Sequence, residues 1–144
     1  REEKKRSANI KFMGWVEHNE VVKVCSGAKA FLYAAFEDFG IAPVEAQALG
    51  VPVIAYGKGG TSETVIPISG PGASKDPTGI LFYEQTAESL IAAINEFENR
   101  EAEFNPLDAR HNAERFSEDK FVANIKNFVK EKMGLLRPPL AGSQ

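Results

Sequence analysis

The sequence predicts an α/β domain in which helices cover both faces of a parallel sheet. Short apolar segments alternate along the chain with segments of helical periodicity. The apolar segments are hydrophobic throughout, as parallel strands are when helices bury both faces of the sheet. No internal repeat points to another architecture. The predicted fold class is therefore a Rossmann-like parallel sheet with helices on both faces.

Four segments have the composition of strands, because they are short, apolar and bounded by turn residues. The first is apolar and partly alternating, and the others are continuous apolar runs. Pro52 lies near the start of the third run, where a strand tolerates proline. The predicted strands cover residues 9–16, 28–35, 51–56 and 79–83.

The helices are predicted from apolar spacing and from residues that cap helix ends. Gly50 is the expected stop residue of the second helix, and Thr86 is the expected cap of the fourth. Residues 66–79 are rich in Pro, Gly and Ser and are predicted to form a loop. The predicted helices cover residues 18–27, 42–49, 61–65, 86–97, 105–116 and 117–129.

The bulk composition is that of one ordinary globular domain. The chain has 144 residues, of which 43% are hydrophobic. Its net charge of −3 argues against a nucleic-acid polymer as partner. The single cysteine allows no intrachain disulfide and suits a reducing compartment, so a cytoplasmic location is predicted. No apolar run approaches the length of a membrane span.

The first residue, Arg1, lies within a charged stretch, and we therefore expect the chain to be a fragment of a longer protein. The charged residues 1–6 are interpreted as a solvated helix end. Residues 1–134 are predicted to form one domain. Residues 135–144 contain proline and glycine and are expected to form a flexible tail.

Two glutamates flank the junction between the second predicted strand and the helix that follows it. In parallel sheets, ligands bind outside the carboxyl ends of the strands. The N–H groups of Gly40, Ile41 and Ala42 would be free at the helix start and would offer an anion site. Glu37 would lie in the loop above, and Glu45 is expected in the first helical turn. This layout suits a ligand with phosphate in the middle and hydroxyl groups on each side, as in a nucleotide sugar.

The spacing of two glutamates is a weak signal by itself. Glu37 could simply be exposed to solvent, and Glu45 could simply be a favourable charge at a helix start. Both interpretations stay open on the physical chemistry of these residues alone.

The surrounding residues resemble a known family. The segments EDFGIAPVEA (37–46), ALGVPVIA (48–55) and GGTSETV (59–65) resemble family-four glycosyltransferases. These are retaining enzymes of the GT-B fold, with two Rossmann-like domains, and the donor nucleotide sugar binds mainly to the C-terminal one. The resemblance runs from about residue 9 to residue 133. The segments 77–86 and 112–117 look most like mannosyltransferases of polysaccharide assembly.

The resemblance implies roles for five residues around the strand–helix junction. Glu37 matches the family glutamate that binds hydroxyls of the donor sugar and stabilises positive charge at the anomeric carbon, and it is the candidate catalytic residue. The backbone amides of Phe39, Gly40 and Ile41 match positions that touch the sugar and the phosphates. Glu45 matches a glutamate that binds the ribose hydroxyls.

Two further groups of residues match family positions. Gly14, Trp15 and Val16 match the loop that receives the base, chiefly through backbone groups. Gly59 and Gly60 match a glycine pair that lines the cleft.

The resemblance also implies what this chain lacks. The family's arginine and lysine that clamp the diphosphate come from a loop before residue 9, and nothing here matches that loop or the first strand. The acceptor-binding N-terminal domain is absent too. We therefore expect a donor-binding half that is inactive alone and that has the missing N-terminal GT-B domain as its partner. The full-length enzyme would transfer a sugar, mannose from GDP-mannose, to a glycan or lipid-linked acceptor. It would need no metal cofactor and would work in the cytoplasm, with peripheral association at the inner membrane face as an option.

Other functions remain as alternatives. The runner-up is a non-catalytic nucleotide-sugar-binding module or partner subunit with the same fold. A flavodoxin-like signalling domain is disfavoured by the absence of an acidic cluster at the first strand end. The tripeptide 38–40 copies a kinase motif without its partner motifs, and the glycines of residues 57–60 lack the third glycine of a dinucleotide fingerprint. No Asp-x-Asp pair or His/Cys cluster suggests a metal site.

Overall fold

A computed structural model describes residues 9–135 of the chain. Its sheet has three parallel strands in the order β1-β2-β3, namely β1 (Phe31–Tyr33), β2 (Val53–Tyr56) and β3 (Gly79–Phe82). All strands therefore end at the same edge of the sheet. The predicted parallel sheet is confirmed, although the second predicted strand is only three residues long.

Six helices and two short 3-10 turns accompany the strands in residues 9–135. Thr86 and Asn105 cap helices as their sequence positions predict, because their side chains accept hydrogen bonds from the N–H groups of Ser89 and Leu107. The helices are α1 (His18–Ser26), α2 (Ile41–Ala48), α3 (Thr61–Thr64), α4 (Ala87–Arg100), α5 (Pro106–Ala113) and α6 (Glu118–Leu135), and the 3-10 turns are Glu101–Glu103 and Glu114–Phe116.

The sheet is packed on both faces. Successive residues of a strand point to opposite sides, and all four residues of β2 are buried. Ile54 and Tyr56 belong to the core on the α4 side, whereas Val53 and Ala55 belong to the core on the α2 side. Burial of Val53 or Ile54 contributes about 1.5–3 kcal/mol. The prediction that helices cover both faces is confirmed.

The predicted strand at residues 9–16 is wrong, because the structure has no regular element there. An apolar alternation becomes a strand only where a second strand lies beside it, and in the described sheet β1 is an edge strand that pairs with β2 alone. Phe12 and Trp15 are 70% and 83% exposed as a result.

Two expectations concern residues beyond this range. The interpretation of residues 1–6 as a helix end lies outside the described residues. So does the predicted flexible tail, residues 135–144, except for Leu135, which is the last residue of α6. Within residues 9–135, no helix is both long and apolar enough to cross a membrane.

Candidate functional site

The loops that follow β1 and β2 touch each other through their backbones. The carbonyl oxygen of Glu37 accepts a hydrogen bond from the N–H of Gly60 at 2.8 Å, and Glu37 forms an isolated parallel bridge with Gly59. A Cβ atom on Gly59 would lie 2.3 Å from the Glu37 carbonyl oxygen, and one on Gly60 would lie 2.3 Å from the Phe39 Cα atom. Only glycine therefore allows this approach. The structure brings Glu37 and Phe39 together with the predicted glycine pair.

A buried threonine anchors the glycine-rich turn. The hydroxyl of Thr61 donates to the carbonyl oxygen of Tyr56, the last residue of β2, and Thr61 is fully buried. On the other side of the turn, the Tyr83 ring covers Gly57, where a Cβ atom would lie 2.7 Å from the ring. Sequence reasoning missed both contacts, and a threonine directly after two glycines is the signal that was available for the first.

The start of α2 presents free backbone donors. Gly40 is the N-cap residue and adopts φ +80, a conformation that favours glycine. The first N–H groups of a helix have no intrahelical acceptor, and no acceptor in residues 9–135 is bonded to the N–H of Gly40, Ile41 or Ala42. The next residue, Pro43, has no N–H group. The unbonded donors at the start of α2 are therefore these three N–H groups. The start of α2 therefore offers free donors, and its role in anion binding stays a prediction.

Glu45 lies slightly further along α2 than expected, because it is the fifth residue of the helix. Since α2 begins at Ile41, Glu45 is in its second turn and not in its first. It is exposed and lines a pocket of about 350 Å³ between α1 and α2, together with His18 and Cys25. Burial, and then the Glu45 carboxylate, raise the pKa of the Cys25 thiol above its usual value. Glu45 also lines a pocket of about 1140 Å³ together with Phe39 and Phe116, so it borders one pocket towards α1 and another towards α5.

Glu37 has a different neighbour. Burial, and then a hydrogen bond to the exposed Glu37 carboxylate, raise the pKa of the Tyr33 phenol. Tyr33 is the last residue of β1 and packs in the core on the α2 side. The backbone of Glu37 is thus bonded to the glycine turn, and its carboxylate affects Tyr33, which sequence reasoning did not single out.

Gly14, Trp15 and Val16 lie just before α1. Gly14 has φ +67, and Val16 is half-buried. Neither of the two pockets that Glu45 lines includes any of these three residues. Their role in receiving a base stays a prediction.

Comparison with known proteins decides the family. The model of the family "Glycosyl transferases group 1" matches residues 1–120 of the chain. The chain belongs to this family. The predicted resemblance to glycosyltransferases is thereby confirmed.

Two relatives of this glycosyltransferase chain are informative. The GDP-mannose-dependent monoacylated alpha-(1-6)-phosphatidylinositol monomannoside mannosyltransferase of Corynebacterium glutamicum is 40% identical over 72 residues, which cover 44% of this chain and 19% of that protein. The structure of sucrose-phosphate synthase from Thermosynechococcus elongatus matches with a TM-score of 0.64 and 26% identity, over 88% of this chain and 31% of that chain. The chain therefore spans less than a third of the length of either relative.

A buried network of side-chain hydrogen bonds joins α2, α3 and α5 of the glycosyltransferase chain. The Asn112 side-chain amide donates to Gln47 Oε1 at 2.7 Å and to the Thr64 carbonyl oxygen at 2.8 Å. Gln47 in turn donates to the carbonyl oxygens of Pro43 and Thr64. Gln47 and Asn112 are 0% and 2% exposed, so these bonds satisfy groups that would be costly to bury alone. Sequence reasoning missed the network, although a glutamine between two alanines of an apolar helix was a signal.

No metal site accompanies these groups in the described part of the glycosyltransferase chain. Residues 9–135 hold no group of three or more His, Cys, Asp or Glu side chains that could hold a metal ion.

Proposed function

We propose that the chain is the donor-binding C-terminal domain of a retaining glycosyltransferase, which transfers mannose from GDP-mannose to a glycan or lipid-linked acceptor. Membership of the glycosyltransferase family supports the reaction class. The name of the C. glutamicum relative supports GDP-mannose as donor and a lipid-linked mannoside as acceptor. The observation that carries the proposal is the backbone pairing of Glu37 with the glycine turn, directly beside the free N–H groups of α2.

The start of α2 would bind the diphosphate of the donor. The N–H groups of Phe39, Gly40 and Ile41 would donate to phosphate oxygens, and the helix dipole would favour their negative charge. The same interactions would stabilise the additional charge on the diphosphate as the sugar–phosphate bond breaks. Since the helix start would supply this stabilisation, the proposal includes no metal cofactor.

The two glutamates would bind hydroxyl groups on opposite sides of the diphosphate of the donor. Glu45 is exposed beside the pocket that α1 and α2 form, and its two oxygens would accept hydrogen bonds from the ribose hydroxyls. Glu37 would bind hydroxyls of the sugar and would stabilise the positive charge that develops at the anomeric carbon. Glu45 is thus proposed as a binding residue and Glu37 as the catalytic residue.

The rest of the enzyme would complete the site. An N-terminal domain would bind the acceptor, and an Arg/Lys loop would clamp the diphosphate. We therefore propose that residues 1–144 alone bind GDP-mannose weakly and do not transfer it. We place the full-length enzyme in the cytoplasm, with peripheral contact to the membrane that carries a lipid-linked acceptor.

Donor binding and turnover in the full-length protein test these roles. Glu45→Ala should raise the Kd for GDP-mannose by about tenfold or more, the loss of a hydrogen-bonded charged contact. Glu37→Ala should chiefly lower kcat, by on the order of 10²-fold. Glu98→Ala is the matched control, because Glu98 is an exposed carboxylate on α4, which packs on the opposite face of the sheet from α2.

The opposite pattern, with Glu37→Ala weakening binding and Glu45→Ala lowering kcat, would contradict the assigned roles. A full-length protein that binds GDP-mannose tightly but transfers nothing to any glycan or lipid acceptor would support the non-catalytic binding module instead.

A further inference from the structure

The segment 112–117, which the sequence pairs with mannosyltransferases, packs against the candidate donor loop. The rings of Phe116 and Phe39 meet edge to face, with centroids 5.6 Å apart and an interplanar angle of 75°. Phe116 is half-buried, whereas Phe39 is 45% exposed. Aromatic pairs of this geometry contribute about 0.5–1.5 kcal/mol beyond the burial of their surface.

Phe39 is held from two sides. Its backbone lies against Gly60, where an added Cβ atom would come within 2.3 Å of both the Cα and the carbonyl oxygen of Phe39. Its ring lies against Phe116. The backbone contact prevents Phe39 from moving towards the glycine turn, and the ring contact holds it towards α5.

Phe116 itself is held independently of any ligand. Arg115 donates to Asn112 Oδ1 at 2.8 Å, and its guanidinium lies 5.2 Å from the centroid of the Phe116 ring. Asn112 is buried and bonded to Gln47 of α2. The 3-10 turn that carries Phe116 is therefore anchored to the same helix whose start offers the free N–H groups.

We infer that Phe116 is a positioning residue for the donor diphosphate, which acts by fixing the backbone N–H groups of Phe39, Gly40 and Ile41. The inference rests on the proposed function of these groups. A displacement of about 1 Å in a binding or catalytic group costs up to 10²-fold, and without Phe116 the exposed ring of Phe39 would have no aromatic partner among the described residues.

The test compares Phe116→Leu with Phe116→Tyr and Phe104→Leu in the full-length protein. Leucine keeps an apolar side chain and removes the edge-to-face contact, whereas tyrosine keeps the ring. Phe104 is the matched control, because it is half-buried and pairs with Phe97 at 5.4 Å on the other face of the sheet.

We expect Phe116→Leu to raise the KM for GDP-mannose by about tenfold with little change in kcat, because it weakens ground-state and transition-state binding alike. Phe116→Tyr should have the same KM as the wild-type protein. Phe104→Leu should lower the unfolding midpoint in urea at least as much and leave KM unchanged.

An unchanged KM in Phe116→Leu, or an equal rise in KM in Phe104→Leu, would overturn the inference while leaving the proposed function intact. A wild-type protein that neither binds nor transfers GDP-mannose would instead overturn the proposed function, and the inference would fall with it.

Discussion

Replacing Gly60 by alanine tests the close contact between the two loops of the site. Gly60 has φ −61, an ordinary value for any residue, so the substitution introduces no backbone strain of its own. Its effect is a steric clash, because the new Cβ atom would lie 2.3 Å from two atoms of Phe39 and 2.4 Å from a third. All three are backbone atoms, which cannot rotate away.

The magnitude follows from the shift that this overlap requires. Ordinary contact begins at 3.4 Å, so the loop must move by roughly 1 Å, and overpacking of this kind costs about 3 kcal/mol, the upper end of its usual range. For a chain of this size, a loss of about 3 kcal/mol lowers Tm by about 10 °C. The same shift of Phe39 should weaken donor binding by on the order of 10²-fold.

Thermal and urea unfolding measure the stability, and titration with GDP-mannose in the full-length protein measures the binding. Gly134→Ala is the control, because nothing lies within 4 Å of a Cβ atom at this position in α6. It should stabilise the protein by up to about 1 kcal/mol, since alanine is the better helix former. A Gly60→Ala protein within about 0.5 kcal/mol of wild type, the usual effect of a neutral substitution, would refute the steric reasoning.

Three further predictions concern the pocket, the buried network and the β1 end. Alkylation of Cys25 by iodoacetamide at a fixed pH should be faster in Glu45→Gln than in wild type, because loss of the carboxylate lowers the raised pKa of the thiol. Bound GDP should slow the alkylation. Equal rates in the two proteins would contradict an effect of Glu45 on Cys25. Asn112→Ala should lower the free energy of unfolding by about 3 kcal/mol, since it leaves the buried side-chain oxygen of Gln47 without its donor. A urea unfolding midpoint equal to that of wild type would contradict this. The folded state prefers the neutral phenol of Tyr33, so the resulting stability is present below the unfolded pKa of about 10 and is lost as pH rises through the raised folded pKa. Tyr33→Phe should therefore show a shallower loss of unfolding free energy above about pH 10, and an unchanged slope would contradict the raised pKa of Tyr33.

The sequence predicts those elements best whose burial is complete. Residues 51–56 and 79–83 are continuous apolar runs because β2 and β3 are covered on both faces, and β2 is buried along its whole length. Helix starts at Thr86 and Asn105 were also predictable, because a cap acts within three residues of the helix start. The segment 9–16 has a comparable apolar pattern but forms no strand, since a pattern cannot supply the neighbouring backbone that a strand requires.

The candidate site shows the same division. The sequence places Glu37 in the loop that follows β1 and Glu45 in the helix that begins just after this loop. It does not show that Gly60 packs on the backbone of Phe39, because this contact joins loops that follow two different strands.

The sequence by itself determined the family, the alternation of strands and helices, and the loops that carry the candidate donor-binding residues. These are local properties, encoded in periodicity, caps and linked motifs. Only the tertiary structure decided that Asn112 bonds to Gln47, 65 residues away, and that Phe116 meets the ring of Phe39. Packing between distant segments depends on how the helices close over the sheet, and no local pattern contains that information.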